Sequence, residues 1–476
     1  MELPRGTERQ RKSKAPDARW MNRSELTGHE YQAGSILLGR DDDGRTIGVN
    51  DDRHILTVAG SRAGKSSTCL KPNLKLWPSS VLCIDPKGEL AAETAMDRHK
   101  MGQDVYILDP FNEVQGPARQ FRATYDPLSE IKAGRPADIV DNAGLLADAL
   151  IVPDKGGQSD HWSLSAKNLL RGLILFALYR DKEKGMPASL TEIRGWVTAP
   201  LGDEDKDDGG KLWLSTLFRL MADNEAYGGA IGGVGSTMMG KPKNERGSII
   251  STAVEQTSFL DSEPMQTQLE AGSLPSMRVL KHKPTTIYLV LPASRMATHY
   301  RWLRMIITLA LAGLENEPHR LPHPVLFILE EFPQLGYMRQ IEAAAGLMAG
   351  YQVKLWTVLQ DLTQLKSQYR DSWETFIGNA GVVQAFGNTD GTTLEYISRS
   401  LGTLQITESS SNTSTASSFS AGGKAERDQL KDVPLLAPFE VAQYCSRHSQ
   451  RQIVMFAGEP PAYIQRMTHK EVQDFG

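Results

Sequence analysis

Residues 54–66 read His-Ile-Leu-Thr-Val-Ala-Gly-Ser-Arg-Ala-Gly-Lys-Ser, an apolar run that breaks into a glycine-containing turn ending on Lys-Ser. So dense an apolar run predicts a strand at His54–Ala59 buried on both faces, which is the habit of parallel sheets. Ala59, Gly60, Ser61, Arg62, Ala63, Gly64, Lys65 and Ser66, with Ser67 behind them, match a P-loop in which alanine takes the first glycine position, and a helical pattern follows. In such a loop the amides around Gly64 and the helix N-terminus cradle phosphates, Lys65 reaches the β/γ-phosphates, and the Ser66 hydroxyl holds magnesium. ATP and Mg²⁺ are therefore the expected cofactors. A chance glycine turn is the alternative, and the strand before and helix after it argue against that.

The rest of the chain repeats the same logic. Apolar runs predict strands at Val81–Asp85, Val105–Leu108, Thr286–Leu291, Val325–Leu329, Leu355–Leu359 and Val382–Phe386, with another at Ile453–Ala457, separated by helical patterns. Alternation of this kind predicts a doubly wound α/β domain. Between Val105–Leu108 and Thr286–Leu291 the segment is far longer than the about a dozen residues a crossover needs, and it carries helical periodicity. An inserted all-α domain is expected at 131–279, with helices at Trp162–Tyr179, Leu212–Asp223 and Ser248–Phe259, interrupted by the acidic loop Gly202–Gly210 and the glycine-rich stretch Gly228–Gly240. The nucleotide-binding domain would then comprise 21–130 and 280–476. Residues 1–20 read as a basic disordered tail, and 407–423, rich in serine and threonine, as a mobile loop.

Composition narrows the class. The chain has 476 residues, 40% hydrophobic and 23% charged, enough for two or three folded units with their own cores. Its three cysteines, Cys69, Cys83 and Cys445, form no metal-binding pattern and fit a reducing compartment. A net charge of −4 gives no bulk attraction to nucleic acid but leaves room for a local basic channel. No run approaches the about 20 apolar residues of a membrane-spanning helix.

Two further features suit a nucleotide site. Val325–Leu329 ends in Glu330-Glu331: Glu330 is placed to hold magnesium and its water, Glu331 to polarise an attacking water. Gln360 ends the Leu355–Leu359 strand, where it would sense the γ-phosphate or position the water.

At this point the sequence resembles the type IV coupling proteins, the TraG/TraD-like conjugative ATPases. Asp85-Pro-Lys-Gly-Glu89, Asp109-Pro-Phe111, Asp160-His-Trp-Ser163, Arg246-Gly-Ser248 and Ile287–Pro292 are similar to family segments. Glu330-Glu-Phe-Pro-Gln-Leu-Gly336 resembles its Walker B, Gln360-Asp-Leu-Thr-Gln-Leu365 its glutamine motif, and Phe386-Gly-Asn-Thr-Asp390 the segment that follows. The resemblance implies a RecA-like P-loop NTPase motor domain bearing an all-α domain, a homo-oligomeric ring of six, and catalytic roles for Lys65, Glu331 and Gln360. It implies partners as well: type IV secretion channel components, and relaxase-bound DNA or effector proteins as cargo.

Three departures qualify that expectation. Glu330 stands where the family usually has Asp. The arginine often found before the glutamine motif is replaced by Ala349-Gly350-Tyr351, leaving Lys354 as the nearest cation and Arg53 as a candidate finger. The family's transmembrane helices do not precede the match, so an anchor was removed or a separate membrane-anchor protein supplies it, at the inner face of the bacterial cytoplasmic membrane. The competing classes are a soluble FtsK/HerA-type DNA translocase and a weakly hydrolysing nucleotide-binding cargo adaptor. Trp196, Trp213 and Tyr227 are aromatic residues of the helical segment that would suit base stacking, though helical spacing favours a core role.

Overall fold

The computed structural model describes residues 18–152, 159–201, 213–411 and 426–472. The expected acidic loop at 202–210, nearly all of the basic tail and residues 412–423 of the expected mobile loop lie outside them. Among the described residues thirteen strands run in chain order: β1 (Ile36–Arg40), β2 (Thr46–Val49), β3 (His54–Ala59), β4 (Val81–Asp85), β5 (Asp104–Leu108), β6 (Thr285–Val290), β7 (Val325–Leu329), β8 (Val353–Leu359), β9 (Ala380–Phe386), β10 (Thr403–Ser411), β11 (Glu426–Pro434), β12 (Arg451–Phe456) and β13 (Ala462–Gln465). The chain divides into two compact units, one made of residues 1–77 and 356–476, the other of 78–355.

In the first unit β3 is parallel to both β8 and β9 and every one of its residues is buried, as its unbroken apolar run demands. β12 then pairs antiparallel with β9 and β13, and β13 with β1, which closes on β2. The late strands thus bring residues 451–465 beside residues 36–49. Ala18 donates its amide to the Thr403 carbonyl at 3.0 Å and Trp20 is buried with its ring against Tyr463, so order begins before the expected end of the tail at residue 20. β10 and β11 form a separate antiparallel ladder running from Thr403↔Pro434 to Ser411↔Glu426. Residues 407–411, expected in a loop, are therefore strand: cross-strand pairing supplies the order that their polar sequence does not advertise.

The second unit carries β4 parallel to both β6 and β7, with β5 parallel to β6. Between β5 and β6 the described residues hold helices and no strand. The long helix Ser159–Lys184 packs its apolar face inward, and Trp196 is buried with its ring tilted against Phe176 (5.9 Å) under the Arg180 guanidinium (5.2 Å). Trp196 is a core residue. The glycine-rich stretch expected as an interruption is instead a helix, Ala230–Gly240. Each helical glycine costs about 1 kcal/mol against alanine, and close packing offsets it here. A Cβ on Gly235 would lie 2.6 Å from the Phe218 carbonyl oxygen, one on Gly232 2.8 Å from the Asn224 carbonyl oxygen, and one on Gly172 2.6 Å from Val234. Gly235 lets two helices approach backbone to backbone, and Gly172 leaves room for the Val234 side chain.

Candidate nucleotide site

Parallel strands deliver their carboxyl ends to one sheet edge, which is where α/β folds bind ligands. In the first unit Val58 pairs with Leu359 and Ala59 with Phe386, so Gly60, Gln360 and Gly387 leave the sheet side by side. The Gly60 amide donates to the Phe386 carbonyl (3.1 Å), and a Cβ on Gly60 would lie 2.8 Å from the Gly387 carbonyl carbon. Only glycine fits this contact. Gly60→Ala is expected to destabilise the protein by about 1–3 kcal/mol through overpacking and to displace the loop, so that both the melting temperature and ADP affinity fall.

Beyond Gly60 the chain closes a turn, the Ala63 amide donating to the Gly60 carbonyl (3.2 Å), and then alternates handedness at Arg62 (φ 56°) and Gly64 (φ 96°). Residues of alternating hand turn successive N–H groups into one concavity, an anion nest. The Gly64 carbonyl faces away from it, accepting from Ser67 Oγ (3.1 Å), Thr68 Oγ1 (2.8 Å) and the Thr68 amide (2.9 Å). Ser67 therefore spends its hydroxyl inside the helix and serves through its backbone. Ala59 and Ala63 are buried, Ser61 and Arg62 exposed, Lys65 buried at the head of the helix and Ser66 half-buried beside it.

The first helical turn, Ser66–Leu70, is a wide one in which the Lys71 amide reaches back five residues to the Ser66 carbonyl. In that register the Ser67 carbonyl would need the amide of residue 72, but Pro72 has none. The His469 amide fills the gap at 3.0 Å. Wide turns of this type recur at functional sites.

Gln360 is cross-braced rather than isolated. Its carbonyl accepts from Asn388 Nδ2 (3.2 Å) and its amide donates to Gln364 Oε1 (3.4 Å). Asp361 caps the helix Leu362–Tyr369 through the Gln364 amide (2.9 Å), Asp390 caps Gly391–Leu401 through the Thr393 amide (2.8 Å), and the Leu362 amide donates to Thr393 Oγ1 (2.9 Å). The glutamine motif and the Phe386–Asp390 segment thus form one rigid corner next to the phosphate loop.

In the second unit Glu330 and Glu331 leave β7 at the edge where β4 ends in Asp85. Glu331 sits in the left-handed region (φ 54°, ψ 33°), an uncommon state for a residue with a Cβ and one that clusters at active sites. The loop behind it is fixed by buried Arg304, which donates to the Leu335 (2.8 Å) and Tyr337 (2.7 Å) carbonyls. Lys354 is buried within β8, and Arg53 precedes β3 at the end opposite the phosphate loop, bound to Asp51 at 2.5 Å.

Two family-like acids are structural. Asp109 accepts from the Glu113 and Val114 amides (2.9 Å each) and pairs with Arg122 (3.2 Å). Asp85 accepts the Ala91 amide (2.8 Å) and is 1% exposed, and burial pushes its pKa up to about 6. A folded-state value above the unfolded one means that its contribution to stability is full below pH about 4 and is lost as pH rises through about 6. Asp85→Asn is expected to flatten the unfolding free energy across that window, where wild type falls by roughly 3 kcal/mol; an unfolding free energy that falls equally in both removes Asp85 as the cause.

The donor set suits a nucleoside polyphosphate: an amide nest, a buried lysine at a helix head and a hydroxyl beside it. Among the described residues no group of three or more His, Cys, Asp or Glu forms a metal cage, and no helix is long and apolar enough to cross a membrane. Magnesium at such a nest takes most of its ligands from phosphates and water. The motifs pointed to the phosphate loop and to Gln360. Gly387 lies in the family-like Phe386–Asp390 segment, whereas the contribution of His469 carries no sequence signal, because it acts on the loop from hundreds of residues away.

Comparison with known proteins agrees with this geometry. Residues 8–475 match the family model for Type IV secretory system Conjugative DNA transfer. The chain is 29% identical over 428 residues to the conjugal transfer protein TraG of Escherichia coli, covering 87% of this chain and 66% of that protein. It is 25% identical over 434 residues to protein VirD4 of Agrobacterium fabrum, covering 87% and 58%. It therefore spans less than two thirds of the length of these two relatives. The plasmid coupling protein TrwB, solved with the non-hydrolysable ATP analogue ADPNP, shares its fold with a TM-score of 0.69 at 15% identity, covering 98% of this chain and 96% of that one. The expected α/β P-loop architecture with inserted helices is that of TrwB, and the match along nearly the whole sequence shows that the chain belongs to the conjugative DNA transfer family of type IV coupling proteins.

Proposed function

We propose that the chain is an ATP-hydrolysing coupling motor that brings relaxase-bound DNA or effector proteins to a type IV secretion channel. The observation that carries the reading is the phosphate cradle of Gly60, Gly64, Lys65 and Ser66 in a chain of this family. TrwB was also solved with ADP and Mg²⁺, which supports the same cofactors here. ATP supplies the anhydride whose cleavage drives movement. Lys65 would neutralise the outer phosphates, Ser66 and Glu330 would hold the magnesium, Glu331 would take a proton from the attacking water, and Gln360 would orient that water. The helical segment 131–279 serves as the cargo-receiving domain, the chain works as a homohexamer, and its site of action is the inner face of the cytoplasmic membrane beside channel and anchor proteins. The test is ATP turnover with and without single-stranded DNA, together with copurification of channel proteins. Turnover indistinguishable from buffer in both conditions sinks the motor reading.

A further inference from the structure

Arg466, the residue after β13, lies 403 positions from the phosphate loop in sequence and touches it in space. One guanidinium nitrogen, Nη1, donates to the Ala63 carbonyl, and Nη2 donates to the Arg447 carbonyl at 3.3 Å. Its flat face covers the Phe386 ring at 4.4 Å, and its own amide is tied to the Gln450 carbonyl at 2.8 Å. The side chain is 2% exposed and its Nε has no hydrogen-bond partner. Among the described residues no carboxylate answers its charge, and burial lowers its pKa.

Burying a cation without a counter-charge is costly. Here that cost is met behind a loop whose other side is an anion nest. Peptide geometry explains what the contact does. In a trans peptide the C=O and the next N–H point in opposite directions. Holding the Ala63 carbonyl toward Arg466 therefore aims the Gly64 amide the other way, into the nest, and that amide makes no hydrogen bond of its own among the described residues. A Cβ on Gly64 would approach Nη1 to 3.3 Å, so the guanidinium lies directly against the loop.

The residues after Arg466 complete the contact. His469 donates its amide to the Ser67 carbonyl that Pro72 leaves without a partner. Met467 and Val472 bury against Leu37, with Leu76 from the end of the loop's own helix packed beside them. Glu471 closes the turn by accepting from the Thr468 amide and hydroxyl, both at 2.8 Å. A four-residue segment is thus nailed to the first unit and holds both the loop and the first turn of its helix.

We propose that Arg466–His469 is a strap that presets the phosphate loop, and that Arg466 is a positioning residue that also lends its charge to the bound phosphates of a nucleotide. This rests on the reading of the loop as a nucleotide site. The strap makes nucleotide affinity depend on the far end of the chain being folded onto the loop.

The test uses the full chain and ADP with Mg²⁺ as the probe. Arg466→Met keeps the apolar stem and removes the charge and both donors; losing a charged hydrogen bond predicts ADP affinity lower by about 10- to 100-fold. Arg466→Lys, which keeps the charge without the fork, is expected between the two. In turnover the Arg466→Met defect falls on KM more than on kcat. A merely structural role reads differently: a smaller folded fraction lowers apparent kcat at unchanged KM. ADP affinity of Arg466→Met within about twofold of wild type, or a loss confined to kcat, overturns the proposal. If Arg466→Met does not fold, Arg466→Lys decides it, an affinity equal to wild type counting against the strap. Wild type that binds ADP no better than Lys65→Ala overturns the nucleotide reading itself, a result separate from any effect at Arg466.

Discussion

Lys65→Ala is expected to lower ATP turnover by about 10²- to 10³-fold, the range seen when one preorganised electrostatic group is removed from a reacting centre. Lys65 is buried at the head of the Ser66–Leu70 turn, so its ammonium is the cation of this loop nearest to where phosphates would lie, and a buried charge is weakly screened. ADP affinity falls as well, because the same charge is used in the ground state. Lys65→Arg is not expected to rescue, since a planar fork does not occupy the place of a compact ammonium. Phosphate release at saturating ATP, measured with single-stranded DNA present, reads the effect. Equal rates for wild type and Lys65→Ala would remove the loop from the chemistry.

Glu331→Gln is the complementary case. General-base catalysis contributes about 10²- to 10⁴-fold, so kcat is expected to drop by that amount while ADP affinity stays close to wild type. The substitution leaves the Cβ and the chain length intact, so the left-handed backbone at Glu331 is no more strained than before, and the melting temperature is expected to hold. A loss of ADP affinity matching the loss of kcat would instead assign Glu331 to binding. Together the two variants separate a residue that holds phosphates from one that activates water.

How far the sequence can be read varies with how local the cause is. β3, β4 and β7 were legible to the residue, because a strand buried on both faces must be apolar throughout and the turn that ends it is glycine or charge. β1, β2 and β13 were not. They are four or five residues long, pair antiparallel at the sheet margin, and meet partners at the other end of the chain, as at Arg40↔Gln465. The sequence of the helix Ala230–Gly240 predicts a break because glycine content is a local signal, whereas the contact that rewards it, Gly235 against the Phe218 backbone, is tertiary. β10 gives the same lesson in reverse, its polar residues paired along β11.

The phosphate loop divides along the same line. The sequence by itself determined its chemistry: the glycines that permit the nest, the lysine and serine that follow, and the strand and helix that present them are contiguous, and short-range sterics decide their conformation. Only the tertiary structure decided how the loop is held. Gly387 presses on Gly60, Arg466 fixes the Ala63 carbonyl, and His469 completes a helical turn that Pro72 leaves open. Each of these contacts joins residues hundreds of positions apart, and such pairings exist only once the sheet has brought the two ends of the chain together.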